Sequence, residues 1–234
     1  MTADLFAASV KRTVARELSV TEFLEAVEQL NRAGETTLVT ELYQVWIKYN
    51  ASHPLLYAIY FNYGVVLSNS GDLPGAKNAL QEAIRLNPTF WPPYINLGTL
   101  LEKLGSSHEA INVWTKVANT LSDITGDGIF HKLTALKQIG RVLEGARIEA
   151  NAEEALKMSL DINPQQRDVA QHWISLRQTQ CKWPIIAPWE RATAKQLLRG
   201  ISPLSLAAYT DDPMFQLANA SEYHKRDVAE FDRI

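Results

Sequence analysis

Four residues recur at one fixed distance in the middle of this chain. Asn62 returns as Asn96, Gly64 as Gly98, Gly71 as Gly105 and Ala76 as Ala110, each 34 residues later. A period of that length accommodates two helices and two turns. Such a unit cannot bury its apolar face alone, so copies stack on one another. Chance supplies one matched glycine; it does not readily supply a glycine, an alanine, an asparagine and a turn glycine in a single register. Gly64 and Ala76 are small where the two helices of a unit must come close. Gly71 stands where the first helix must end, and glycine takes left-handed backbone at little cost. Asp72 follows as an N-cap, Pro74 lies in the first turn of the next helix, and Asn87-Pro88 closes the unit, because the residue before a proline avoids helical dihedrals.

The copies resemble the tetratricopeptide repeat. The first reads Tyr60-x2-Tyr63-Gly64-x2-Leu67 with Ala76-x3-Leu80 and Pro88. The second reads Tyr94-x2-Leu97-Gly98-x2-Leu101 with Ala110-x3-Trp114 and lacks the final proline. A third, Leu136-x2-Ile139-Gly140-x2-Leu143 with Ala152-x3-Leu156 and Pro164, comes 42 residues after the second. The extra eight are expected in a longer loop around Ser122–Phe130. The fold expected is all-α: a right-handed superhelix of stacked pairs, an α-solenoid, followed by a short helical connector. An N-terminal helix or cap covers 1–18. Helix pairs occupy 19–166, a degenerate one over 19–54 and the better ones over 57–90, 91–124 and 133–166, and the connector runs over 167–234. Tyr57, Tyr60, Tyr63, Trp91 and Tyr94 recur at repeat spacing and are expected mainly in the core.

Composition narrows the function by exclusion. A chain of 234 residues that is 46% hydrophobic supports a sizeable core. A formal charge of −3 without any Lys/Arg run gives no footprint for nucleic acid. No apolar stretch reaches the length of a membrane span, and the N-terminus lacks the apolar core and cleavage site of a signal peptide. The single cysteine, Cys181, cannot form an intrachain disulfide, which suits a reducing, cytoplasmic setting. Its place beside Trp183-Pro184 suggests a buried packing role. Asp123-x-Thr125-x-Asp127-Gly128 begins like a calcium loop, but its twelfth position is Thr134, so an inter-repeat loop is the better reading. The histidines His53, His108, His131, His172 and His224 are scattered without metal spacing. No catalytic residue, metal or cofactor is expected.

Beyond Pro164 the chain resembles one family. QHWISLRQTQCKWP (171–184) and SPLSLAAYTDDPMFQLANASEY (202–223) look like the connector that joins the repeats of O-linked N-acetylglucosamine transferases and SPINDLY-like proteins to their catalytic part. The matching residues are Arg177 ahead of Cys181 and Trp183, the run Ser202-Pro203-Leu204, and Asp211, Pro213 and Gln216. In that family a two-lobed transferase that binds a nucleotide sugar follows. Here no glycine-rich nucleotide loop is present. No catalytic residue carries over, and the chain is expected to be the non-catalytic part of such an enzyme, without transferase activity alone.

Asn62 and Asn96 stand out because mid-helix asparagine competes with the backbone. They either bond within the stack or form a ladder along the concave groove. The resemblance implies the ladder, since family asparagines at this position hold the backbone of an extended peptide. Gln138 occupies the place in the third repeat. The function expected is a protein-interaction module, the partner-binding arm of a protein O-glycosyltransferase. A free-standing adaptor is the competing reading. The partner in either case is a protein or extended peptide, with neither nucleic acid nor membrane.

Overall fold

The computed structural model describes residues 2–120, 126–199 and 201–225. Thirteen α-helices run through them, and among the described residues the one β-type contact is an isolated bridge between Trp189 and Ala192. The chain forms two compact units, Met1–Val113 and Trp114–Ile234. The first contains α1 (Thr2–Val14), α2 (Val20–Arg32), α3 (Thr36–Tyr49), α4 (Leu56–Ser70), α5 (Leu73–Leu86) and α6 (Pro92–Lys103). The division passes through α7 (Ser107–Thr120). The second contains α8 (Gly126–Gly145), α9 (Glu149–Ile162), α10 (Arg167–Thr179), α11 (Ala194–Arg199), α12 (Pro203–Leu206) and α13 (Pro213–Tyr223).

Each first helix of a pair ends in the same way. Gly34, Gly71 and Gly105 take φ of 77°, 88° and 80°. The N–H of the next residue then turns back to a carbonyl five positions earlier: Glu35 to Leu30 at 3.0 Å, Asp72 to Leu67 at 2.9 Å, Ser106 to Leu101 at 2.8 Å. This is a Schellman closure, and it satisfies carbonyls that a helix end would leave bare. Arg147 and Cys181 take φ of 58° and 52°, and Ile148 and Lys182 make the same bond to Leu143 and Arg177 at 2.9 Å each. Arg147 lies seven residues after Gly140, as Gly71 lies seven after Gly64. Cys181 lies a further 34 on. The first helix of the connector, α10, therefore carries the repeat's register, with Ile174 at the glycine position and Trp173 where Leu97 stands. Its end explains the left-handed backbone of Cys181. The thiol is exposed, not buried as expected, because the αL residue of such a closure points away from the helix it ends.

Second helices end differently. Asn87 and Asn163 are extended (φ −140° and −141°), and their side-chain oxygens accept from the N–H groups of Thr89 and Gln165 at 3.1 and 3.0 Å. Pro88 and Pro164 follow them and forbid another helical turn. Starts are capped by side chains. Ser19 and Glu22 form a reciprocal capping box at α2, and Asp72 accepts from the N–H of Gly75 at 2.9 Å. Glu22 also takes the Arg12 guanidinium at 2.7 Å, and that bond with those from Ser19 holds its carboxyl down to about 2.

The eight extra residues before the third repeat are not loop. Five residues separate α7 from α8, as five separate α5 from α6. Gly140 stands fourteen residues into α8, whereas Gly98 stands six into α6. The insertion adds about two helical turns to the N-terminal end of α8. Asp127 and Gly128 of the supposed calcium loop belong to that helix; Asp123 and Thr125 lie outside the described residues.

The small residues sit where helices cross. Ala76, Ala110 and Ala152 are fully buried, and Gly64, Gly98 and Gly140 are buried too. A Cβ on Gly64 would lie 3.0 Å from Leu80 Cγ, and one on Gly140 only 2.5 Å from Leu156 Cδ2. Around the first pairs, Phe23, Leu30, Val39, Leu42, Trp46 and Ile59 form a core, with Phe23 edge-on to Tyr43 at 5.1 Å. Leu5, Phe6 and Val10 of α1 join it, while Val14 is exposed. Of the five aromatics expected inside, only Tyr94 is buried; Tyr57, Tyr60, Tyr63 and Trp91 are half-buried.

In the second unit, α10 packs on α9 through Leu160, Val169, Ala170 and Trp173, and a polar knot ties down the chain after it. Arg177 lies 4.9 Å over the Trp173 ring, donates to the carbonyls of Pro184 (2.9 Å) and Ile185 (3.1 Å), and reaches Glu153 at 2.8 Å. Lys182 meets the other oxygen of Glu153 at 2.5 Å. The peptide bond between Trp183 and Pro184 is cis. The turn closed by the Trp189–Ala192 bridge leaves α11 to begin only at Ala194.

Two outcomes are expected. Gly140→Ala should cost about 1–3 kcal/mol in thermal melts through overpacking against Leu156, and more than Gly64→Ala, whose Cβ has half an ångström more room. Burial opposes the charge of Glu153, but the bonds from Lys182 and Arg177 outweigh it and lower its pKa. A depressed carboxyl contributes stability above its unfolded value, roughly 4.3, and loses it as pH falls through the folded value. Glu153→Gln should therefore melt below the parent at neutral pH, by about 1–3 kcal/mol. That gap should narrow steadily in melts taken below about pH 4.

Candidate peptide-binding cleft

The helix wheel of α4 separates two faces. Ile59 and Leu67 are buried against the neighbouring helices, whereas Tyr57, Phe61, Val65 and Ser68 form a half-buried stripe one residue wide. On α6 the residues Asn96, Thr99 and Lys103 form a second stripe. Between the two lies a cavity of ≈ 180 Å³. Gly64, Leu80 and Leu100 line it from below, and Ser68, Asn69, Asn96, Thr99 and Lys103 supply its polar walls. The absence of a side chain on Gly64 is what opens the cleft down to Leu80 of α5.

The polar groups of this cleft are largely uncommitted. Thr99 donates to the carbonyl of Ile95 at 3.1 Å, within its own helix. The side chains of Asn62, Asn69 and Asn96 make no hydrogen bond, and Lys103 forms no ion pair, among the described residues. The internal-bonding reading of Asn62 and Asn96 therefore lacks a partner. An amide of this kind offers a donor and an acceptor side by side, the combination that a peptide group requires. Asn96 is in the cavity; Asn62 is half-buried on α4 and does not line it. By register Asn62 points to the preceding side of α4, as Asn96 points back toward α4 from α6. Gln138 belongs to the second unit, and its oxygen accepts from Arg141 Nε at 3.0 Å. Ser68, Asn69, Thr99 and Lys103 escape sequence reading because nothing in one repeat says which residues of the next it will face.

The second unit has its own small cavity, ≈ 50 Å³, lined by Lys137, Arg141, Glu144, Leu156, Val169 and His172. Lys137 pairs with Asp168, and His172 Nδ1 lies 3.1 Å from Glu144. Burial disfavours the charge on Asp168, but the bond from Lys137 prevails and lowers its pKa. Among the described residues no group of His, Cys, Asp and Glu is placed to hold a metal ion, and no helix is long and apolar enough to cross a membrane.

Comparison with known proteins agrees with this architecture. Two family models described as tetratricopeptide repeat match residues 57–90 and 79–112. No curated protein matches the sequence. Among solved structures, the chain is similar to YrrB, described as a tetratricopeptide protein with an unusual peptide-binding site, at 15% identity and a TM-score of 0.54 over 90% of this chain and 96% of that one. A tetratricopeptide protein from Parabacteroides merdae is 14% identical with a TM-score of 0.60, covering 87% and 72%. MamA from Desulfovibrio magneticus is 16% identical with a TM-score of 0.55, covering 83% and 99%. At these identities the likeness concerns the fold, and the fold class is all-α, of the tetratricopeptide solenoid type.

Since neither asparagine supports the fold through a bond, the double variant Asn62→Ala/Asn96→Ala should retain its helicity. Alanine has the better helix propensity by about 0.5 kcal/mol per site. The variant should therefore melt at or slightly above the parent temperature in circular dichroism; a marked drop would make these residues core supports.

Proposed function

We propose that this chain is a protein-interaction module that holds an extended segment of a partner protein along the first helices of its repeats, with Asn62, Asn96 and Gln138 as backbone-binding amides. The observation that carries this is the cleft between α4 and α6, whose amides at Asn69 and Asn96 have no partner among the described residues. Unsatisfied amides over an apolar floor suit a peptide: the backbone meets the amides and a side chain meets the floor. The peptide-binding site named for YrrB supports the reading by analogy of fold. Each bond to a partner contributes about 0.5–1.5 kcal/mol net. Once a peptide array has supplied a ligand, Asn62→Ala/Asn96→Ala should weaken it several-fold with folding intact. Binding as tight as the parent's would place recognition elsewhere.

A second reading, the partner-binding arm of an O-linked N-acetylglucosamine transferase or SPINDLY-like protein, is favoured by the surface of residues 167–225. Trp183, Leu204, Met214 and Leu217 are 77%, 90%, 72% and 65% exposed there. Apolar side chains left open in this number suit a segment that meets a further domain. On this reading the chain itself transfers nothing and works in the cytoplasm, where its one free thiol stays reduced. The coding sequence downstream of Ile234 tests it. An open frame for a two-lobed nucleotide-sugar enzyme is expected, and its absence favours a free-standing adaptor.

A further inference from the structure

The same cleft has two chemically different ends. Toward the start of α4, Tyr57 and Phe61 both meet Phe90 of the α5–α6 link edge-on, with ring centroids 5.0 and 5.4 Å apart. All three rings are half-buried, so part of each residue stays exposed. Toward the end of α4 and α6, the cavity closes on Asn69 and the exposed ammonium of Lys103, which has no ion-pair partner among the described residues. Tyr57 and Phe61 share their helical face with Val65 and Ser68 of the cavity, about one to three turns away.

We infer that the cleft selects a two-point ligand: an extended segment carrying an apolar anchor for the Tyr57–Phe61–Phe90 ring group and an acidic side chain for Lys103 and Asn69. This rests on the peptide-binding reading above. Edge-to-face rings present an apolar surface with little entropy left to lose, which is how aromatic anchors sites work. A lone ammonium beside an amide favours a carboxylate by charge and by hydrogen bonding. The spacing follows from geometry. From the level of Tyr57–Phe61 to that of Ser68–Asn69, α4 rises about 14 Å at 1.5 Å per residue. An extended chain covers that distance in about four residues. Fewer would leave one end empty, and many more would force a bulge.

The test uses the full chain and an array of fluorescein-labelled ten-residue peptides. Each has a Ser/Ala background holding one Phe or Leu and one Glu, at separations of about one to seven residues and in both orders. Binding by anisotropy is expected to peak at a separation of about four. Lys103→Glu should weaken the best peptide about tenfold, and replacing its Glu by Lys should restore binding to that variant. Lys103 is exposed, so this substitution leaves the fold alone; Phe61→Ala, checked by its melting curve, should remove the preference for Phe over Ser. Peptides that bind regardless of separation, or a Lys103→Glu variant that binds the Glu peptides as the parent does, would overturn the two-point site. If Asn96→Ala still weakens those same peptides, the broader peptide-binding reading stands. If Asn96→Ala is also without effect, both fall together.

Discussion

A helix can reverse within a few residues where one residue accepts left-handed backbone, and the described residues use that device six times in one manner. At Arg16, Gly34, Gly71, Gly105, Arg147 and Cys181 the chain reverses through a positive φ and spans the turn with one N–H bond to a carbonyl five residues back. Everything else follows from those reversals. They set the second helix against the first. That contact demands a small residue at Gly64 and Gly140, and on α4 and α6 it leaves a stripe half-buried. That stripe is where the cleft forms. Three of the six turns, at Arg16, Arg147 and Cys181, use an L-residue with a β-carbon, which costs about 1 kcal/mol relative to glycine. In the second unit the closure is therefore maintained by the packing around it, most visibly by Arg177, which bonds Glu153 and the carbonyls of Pro184 and Ile185 just beyond the turn.

The same facts explain what could be read in advance. Glycine turns are legible because glycine is the residue that left-handed backbone favours, and Asn-Pro endings are legible because proline forbids the next turn. Arg147 and Cys181 carry no such mark, so α10 looked like the start of something new until its closure was seen. The eight-residue insertion was misplaced for a related reason: Ser122–Phe130 is rich in turn formers, but two glycines in the first turn of a helix cost little when the turns that follow are packed. The half-buried aromatics were assigned to the core on spacing alone. Spacing says which face a residue shares, not whether a neighbour covers it. In the cleft, Asn96 was visible because asparagine is a poor mid-helix residue; Lys103, Ser68 and Asn69 are unremarkable in sequence and gain meaning only from the residues of the adjacent repeat.

Register also permits a comparison between the two units that does not depend on how they are arranged. Relative to the repeat glycine, His172 holds the position of Asn96, Glu144 that of Ser68, Arg141 that of Val65, Lys137 that of Phe61 and Leu156 that of Leu80. The scaffold is conserved in kind, with a leucine lying under each glycine. The chemistry is not. Where the first unit has uncommitted amides and open rings, the second has Lys137 bonded to Asp168, His172 to Glu144, and Gln138 to Arg141.

That difference decides where recognition costs least. Exposed ion pairs of this type are worth only about 0–1 kcal/mol, so they do little for stability. They do occupy the groups that a ligand would need, and an incoming peptide would have to break them before gaining anything. Asn69, Asn96 and Lys103 require no such exchange with any described residue. A ladder of equivalent positions is therefore unequal in effect. On the proposed peptide-binding reading, its strongest rung would lie between α4 and α6, where the small floor of Gly64 deepens the cleft and no partner competes among the described residues, and the Gln138 position would contribute only to the extent that Arg141 releases it. Selectivity in a repeat array arises in this way without any change of fold: the scaffold fixes where a ligand can lie, and the pairing state of a few side chains fixes which stretch will hold it.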